Sequence, residues 1–301
     1  MIKLALPIRN TRIRSDWKHR LLAAFCVLWL SSAAPLSAQA DQAKRPIRLG
    51  LTAVILHEQY RLLTDWREYL QRQLHRPVEF ITRDSYGEAM DLLQQDKLDF
   101  AWISDYLYVR LRRQVRLVAV PQYLGRPYYR SYLIVSSSDT HAASLVNMRG
   151  GVFAFSDPYS NAGYLAPRFQ LLKAGEDSNR FFRKTFFTWS NSDVVEAVAD
   201  GVADAGAVSS FVWDSLAIAQ PDLTARTRIA GRSPEYGFPP VVANRSVGKA
   251  DFQAMQRVLF GMAQDPDGAK LLKGLNIDRF APADARLYQR VAEMMRALGE
   301  K

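Results

Sequence analysis

Val152-Phe153-Ala154-Phe155-Ser156-Asp157-Pro158-Tyr159-Ser160-Asn161-Ala162-Gly163-Tyr164 reads as a strand, a tight turn and the opening of a helix. The apolar run 152–155 fits a strand buried on both faces. Asp157-Pro158 interrupts it, and Ser160 stands where a helix N-cap belongs. A strand feeding directly into a helix is the unit from which parallel α/β sheets are built. The residues after Ser160 are small, which lets a ligand approach the free backbone N–H groups of a first helical turn. The helix dipole adds partial positive charge there, so an anion needs no basic side chain. The same residues also suit a bare helix cap at Ser160 and close packing at Gly163, and both readings stand on this stretch alone.

The pattern repeats on either side. Ile47–Leu51, 77–81, Phe100–Ile103 and Val115–Val120 read as strands. Residues 58–74, with Tyr60, Leu62, Leu63, Trp66, Tyr69, Leu70 and Leu74 at helical spacing, and 85–95, with Ser85 and Glu88 in capping-box positions, read as helices between them. A further helix runs through Tyr108 and Leu111. The extended run 128–136 and the Ser-Ser-Asp-Thr linker at 137–140 lead into a second series. That series has strands at 152–155, 186–189 and 205–208 and helices at 160–173 and 192–200. Gly237-Phe238-Pro239-Pro240 marks a second crossing, and helices are expected at 249–264, 266–273 and 282–298. The expected fold is α/β with two lobes joined by two crossing segments. One lobe takes 46–135 and 241–301, and a second, 136–240, is inserted into it.

Composition is that of a folded chain, 48% hydrophobic and 23% charged over 301 residues. The first forty residues differ: a basic stretch, the apolar run Leu21–Leu30, and Ala38-Gln39-Ala40. This is the order of a secretory signal cleaved near Ala40, and the run is about half the roughly 20 residues a membrane span needs. Removing 1–40 takes away six positive charges and one negative, so the net charge falls from +10 to +5. That weakens any case for a nucleic-acid partner. The single cysteine, Cys26, leaves with the leader, so the exported chain has neither disulfide nor thiol chemistry.

Catalytic and cofactor signatures are missing: no G-x-G-x-x-G, no phosphate-binding loop, no nucleophile elbow. His57, His75 and His141 are scattered and compose no expected metal site. Polar clusters instead gather at strand ends. Ser190-Asn191-Ser192-Asp193 and Ser209-Ser210 follow strands of the second lobe; Trp102, Ser104 and Tyr108 follow the third strand of the first. Ligands of open α/β sheets bind beyond the carboxyl ends of strands, so Ser160, Asn161, Ala162, Asn191, Ser209, Trp102, Ser104 and Tyr108 are the candidate ligand-binding residues. No catalytic residue, cofactor or metal is expected.

From about residue 46 to about 275 the chain resembles the periplasmic binding proteins of phosphonate, phosphite and phosphate importers of the ABC type. The resemblance rests on 157–167, Asp-Pro-Tyr-Ser-Asn-Ala-Gly-Tyr-Leu-Ala-Pro. Supporting stretches are Asp99-Phe100-Ala101-Trp102, 129–135 and 197–208. It implies a type II periplasmic-binding-protein fold, a monomer in the periplasm and capture of a small oxyanion by lobe closure. The partner it implies is an ABC permease at the inner membrane. A sensor kinase is the alternative partner for such a shape, and an enzyme on the same fold a lesser one. In the family a Ser-Thr-Ser-like turn holds the phosphonate oxygens, and its positions here are Ser160, Asn161 and Ala162. Asn191 stands where the family commonly has a ligand-contacting histidine, and Ser209 where it often has an aspartate. Because Ser209 cannot neutralise an ammonium group, this departure from the family pattern predicts an oxyanion smaller or less charged than an aminophosphonate, or a ligand the family name does not describe.

Overall fold

The computed structural model describes residues 45–52 and 60–300. The expected leader 1–40, with Cys26 and the cleavage point near Ala40, lies outside the described residues, as does His57. Among the described residues no helix is long and apolar enough to cross a membrane.

The first lobe opens with β1 (Ile47–Leu51), α1 (Tyr60–Leu74), β2 (Val78–Thr82), α2 (Tyr86–Gln94), β3 (Phe100–Trp102), α3 (Asp105–Leu111) and β4 (Val115–Gln122). β1 pairs in parallel with β2 and β3. β3 is buried at every position, as an apolar strand covered on both faces must be. On α1, Trp66, Tyr69 and Leu70 are buried at i, i+3 and i+4. Trp66 meets Phe80 and Trp102 edge-on at 5.3 and 6.1 Å, fastening the helix to the sheet.

The second lobe comprises β6 (Ser131–Ser136), β7 (Val152–Phe155), α4 (Ala166–Lys173), α5 (Ser178–Phe181), β8 (Lys184–Phe187), α6 (Asn191–Ala199), β9 (Ala205–Ser209), α7 (Ser210–Ala219), α8 (Pro221–Thr224) and β10 (Thr227–Arg232). Its sheet runs β10-β6-β9-β7-β8, with β7 parallel to β8 and β9 and β6 antiparallel to β9 and β10. Phe153 stacks on Phe182 at 4.5 Å beneath it.

Two short strands carry the crossings. β5 (Tyr128–Tyr129) and β11 (Tyr236–Gly237) pair antiparallel as a ribbon outside both sheets. A side chain at Gly237 would place its Cβ 2.7 Å from the Leu287 carbonyl oxygen, so this crossing accepts only glycine against the returning C-terminal segment. The extended run 128–136 is thus divided: its first two residues cross, and Ser131–Ser136 joins the second sheet. The expected boundary at 135/136 falls inside β6.

The chain then returns to the first lobe through β12 (Val241–Asn244), α9 (Lys249–Gly261), α10 (Pro266–Gly274), β13 (Arg279–Ala281) and α11 (Gln289–Ala297). β12 inserts antiparallel between β3 and β4, and β13 adds at the edge, giving the order β13-β4-β12-β3-β1-β2. The helix expected at 249–264 is α9 closed by a 3₁₀ turn, and that expected at 282–298 is a 3₁₀ turn, Ala285–Tyr288, followed by α11.

Candidate functional site

The turn after β7 is the centre of the candidate site. The helix expected from residue 160 begins with a π turn, Asn161–Leu165, and continues as α4. The departure has a local cause. Pro167 has no N–H to give the Gly163 carbonyl, and that oxygen instead accepts from the Ser156 N–H at 3.3 Å. The Ala166 N–H reaches the Asn161 carbonyl, which leaves the Ala162 carbonyl to accept from the Ser131 hydroxyl at 2.7 Å. Every carbonyl that the widened turn releases therefore finds a donor. π turns inside helices cluster at functional sites.

Ser160 caps this helix: its Oγ accepts from the Gly163 N–H at 3.0 Å. Among the described residues no acceptor takes its own hydroxyl proton, and the N–H groups of Asn161 and Ala162 sit in the first turn, where helices leave donors without intrahelical partners. Gly163 is required by close approach. A Cβ there would stand 1.9 Å from Ser156 Oγ and 3.1 Å from the Ala207 carbonyl oxygen.

Asn191 and Ser209 join the same locus. Asn191 opens α6 behind the cap Ser190, and its Oδ1 accepts from the Ser209 N–H at 2.9 Å. Ser209 is the register partner of Ser131, whose hydroxyl reaches Ala162. Ser160, Asn161, Ala162, Asn191 and Ser209 therefore form one connected set, all buried.

The first lobe meets this set at three points. The Asp157 carboxylate accepts from the Tyr86 N–H at 2.9 Å, crossing to the first turn of α2, and from the Tyr159 N–H at 2.7 Å. The Ser104 hydroxyl caps α3 and donates to the Tyr159 carbonyl at 2.7 Å. Asn161 Nδ2 donates to Asp105 at 2.7 Å and to the Tyr129 hydroxyl at 3.1 Å, while that hydroxyl donates to the other Asp105 oxygen at 2.8 Å. Burial pushes the Asp105 carboxyl up to about 7, with the Tyr129 and Asn161 hydrogen bonds opposing it. Burial raises Asp157 as well, against the two N–H bonds it accepts.

Two expected residues are not drawn in. Trp102 turns into the first-lobe core, its indole N–H donating to the Pro239 carbonyl at 3.0 Å and its ring edge-on to Trp66 and Phe280. Tyr108 packs on Tyr288 with ring centres 4.6 Å apart. We expect Trp102→Ala to cost about 3–5 kcal/mol of stability while the folded fraction keeps its ligand affinity. Chemical denaturation alongside calorimetry checks this; a selective loss of affinity would return Trp102 to the site.

Asp105, Tyr129 and Ser131, which the structure joins to this set, are not singled out by the sequence patterns. A readable signal existed for Asp105, a lone carboxylate directly after β3, followed by the apolar run Tyr106-Leu107-Tyr108-Val109. Among the described residues no group of three or more His, Cys, Asp or Glu is placed to hold a metal.

The family model for the periplasmic substrate-binding protein of phosphonate ABC transporters matches residues 50–288. A probable ABC transporter phosphite-binding protein of Prochlorococcus marinus is 24% identical over 243 residues, covering 77% of this chain and 82% of that protein. The phosphonates-binding periplasmic protein of Escherichia coli is 22% identical over 275 residues, covering 88% and 80%. Among solved structures, the binding-protein component of a phosphonate ABC transporter from Pseudomonas aeruginosa superposes with a TM-score of 0.78 at 19% identity, over 83% of this chain and 85% of that one. The Prochlorococcus protein in complex with methylphosphonate gives 0.76 at 21%, over 85% and 98%. These structures share the type II periplasmic-binding-protein fold. The chain belongs to the family of periplasmic substrate-binding proteins of phosphonate ABC transporters.

Proposed function

We propose that the protein captures a small oxyanion of the phosphonate, phosphite or phosphate type at the turn Ser160–Gly163 and delivers it to an ABC permease at the inner membrane. The observation that carries this is the turn itself. It gathers a free hydroxyl proton and first-turn N–H groups with small side chains, and residues of the opposite lobe reach it through Tyr86, Ser104 and Asp105. The relatives' phosphite and phosphonate ligands support the choice of anion. The family's setting supports the periplasm, and its members are binding proteins rather than enzymes.

Strand pairing supports lobes of 46–127 with 241–301, and 131–235, flexing at the ribbon of β5 and β11. The bonds from Asp157, Tyr159 and Asn161 to the first lobe are those that closure makes and opening breaks. A thermal-melting screen against phosphate, phosphite, methylphosphonate, sulfate, arsenate and 2-aminoethylphosphonate tests the reading. A ligand at 100 times its Kd adds about 2.7 kcal/mol, or about 5–10 °C for a chain of this size. At least one oxyanion should produce such a shift. If none does while an uncharged compound does, the anion site is wrong.

A further inference from the structure

Asn161 carries a buried acceptor that nothing serves. The residue is 1% exposed, and its Oδ1 has no hydrogen-bond partner among the described residues. The amide cannot turn over to relieve this. Both Nδ2 hydrogens are spent, one on Asp105 and one on the Tyr129 hydroxyl, whose single proton goes to Asp105 in turn. At pH 8, where Asp105 is ionised, reversing the amide would set Oδ1 against its carboxylate, acceptor against acceptor. In this arrangement of the lobes Asp105 is itself wholly buried, so the pin does not swing into solvent. Oδ1 is thus held as an acceptor on the residue that opens the π turn. A buried acceptor left without a donor costs about 1–3 kcal/mol.

The rest of the turn offers donors, and donors bind any oxyanion. Only Oδ1 asks something different of the ligand. We infer that Asn161, positioned by Asp105 and Tyr129, makes the site specific for oxyanions that keep a protonated oxygen, with the ligand's P–OH or As–OH donating to Asn161 Oδ1. This rests on the proposed oxyanion site and adds to it a ligand class: hydrogen phosphate and its proton-bearing analogues are accepted, and sulfate and sulfonates are excluded. Sulfate matches hydrogen phosphate in shape and in double charge. It has no proton to give, so its oxygen would face Oδ1 lone pair to lone pair. A site built to bond a hydroxyl rejects the analogue lacking it strongly, because its own polar atom stays unpaired.

Calorimetric titration of the full exported protein at pH 8 tests this, with hydrogen phosphate, sulfate and methylphosphonate as probes. At that pH hydrogen phosphate retains one proton, and sulfate and the methylphosphonate dianion have none. Hydrogen phosphate should bind at least 10–100-fold more tightly than sulfate, the factor expected for one unserved buried acceptor. Asp105→Asn frees the amide to reverse and present Nδ2 to the ligand, so the ratio should collapse toward one. Tyr129→Phe, which removes one of the two bonds that hold the amide and leaves the Asp105 pin in place, should lower the ratio less than Asp105→Asn does. The inference fails if sulfate binds the native protein within about threefold of phosphate, since solvent rather than ligand then serves Oδ1. It fails equally if the methylphosphonate dianion binds and phosphate does not, although the oxyanion site itself then stands. If Asp105→Asn folds and keeps the full ratio, the pin is refuted; if it does not fold, the native ratio alone decides. Absence of binding by all three probes removes both the inference and the oxyanion site.

Discussion

Ser160→Asp should abolish oxyanion binding while leaving the fold in place. Aspartate is as good an N-cap as serine, so a carboxylate at 160 can still accept from the Gly163 N–H that Ser160 Oγ now holds. It is also welcome at a helix N-terminus. What changes is the charge beside the ligand. Two unit charges about 4 Å apart near a protein surface repel by about 4 kcal/mol, which is about a thousandfold in affinity. The substitution also removes the hydroxyl proton that Ser160 has free. Ser160→Asn separates charge from size, since it caps equally well and remains neutral. Calorimetry on the pair should give a small loss for asparagine and loss of measurable binding for aspartate, at similar melting temperatures. Comparable affinities for the two variants would place the anion elsewhere.

The second-lobe half of this site is legible in the sequence because it is built from local rules. A buried strand, a Pro break, a capping serine and small residues lie consecutively, and Ser160 and Ser190 both cap helices in the structure. Asn191 and Ser209 are found by the same logic of strand ends. The first-lobe half follows a different rule. Successive strand residues point to opposite faces, and nothing in Phe100–Asp105 states which face meets the other lobe. Trp102 therefore reads as a site residue when its ring lies against Trp66 and Phe280, and Asp105 passes unnoticed. The strands β10, β12 and β13 are hidden for a related reason. β12 follows two prolines and is placed between β3 and β4 only by the chain's return from the second lobe. The three-residue β13 and the mixed Thr-Arg-Ile-Ala-Gly-Arg of β10 pair at sheet edges, where no hydrophobic run is needed. The π turn at 161–165 has its local cause in Pro167, but the Ala162 carbonyl it releases is served by Ser131, 31 residues away in sequence.

Asp105 should also make stability fall as the pH rises from about 4 to about 7. Its ordinary value is 3.8 and burial lifts it to about 7 in the folded protein, so in that window the native state holds a proton that the unfolded chain has released. Stability rises with pH only where the unfolded state binds more protons. Here the native state binds more, and the sign is reversed. Below the window both states are protonated, and above it both are ionised, with the native state burying a charge. The change across the window is on the order of a few kcal/mol. The groups that sense this charge are Tyr86, Tyr129, Tyr236 and Tyr288, each with its own ionisation pushed upward and therefore neutral throughout. Asp157 and Asp214, also raised by burial, add slopes of the same sign. Those slopes are common to the native protein and Asp105→Asn, so the difference between the two isolates Asp105. Denaturation of both proteins from pH 4 to pH 8 should show the native chain losing stability relative to the variant, most steeply in the middle of the window and levelling off above its upper end. A difference independent of pH would mean that Asp105 stays ionised in the fold. Because a bound anion repels the Asp105 carboxylate, binding near neutral pH should take up protons. Titration in buffers of different ionisation enthalpy measures that uptake once the ligand's own change of protonation is subtracted, and a net release from the protein would contradict an anion seated beside Asp105.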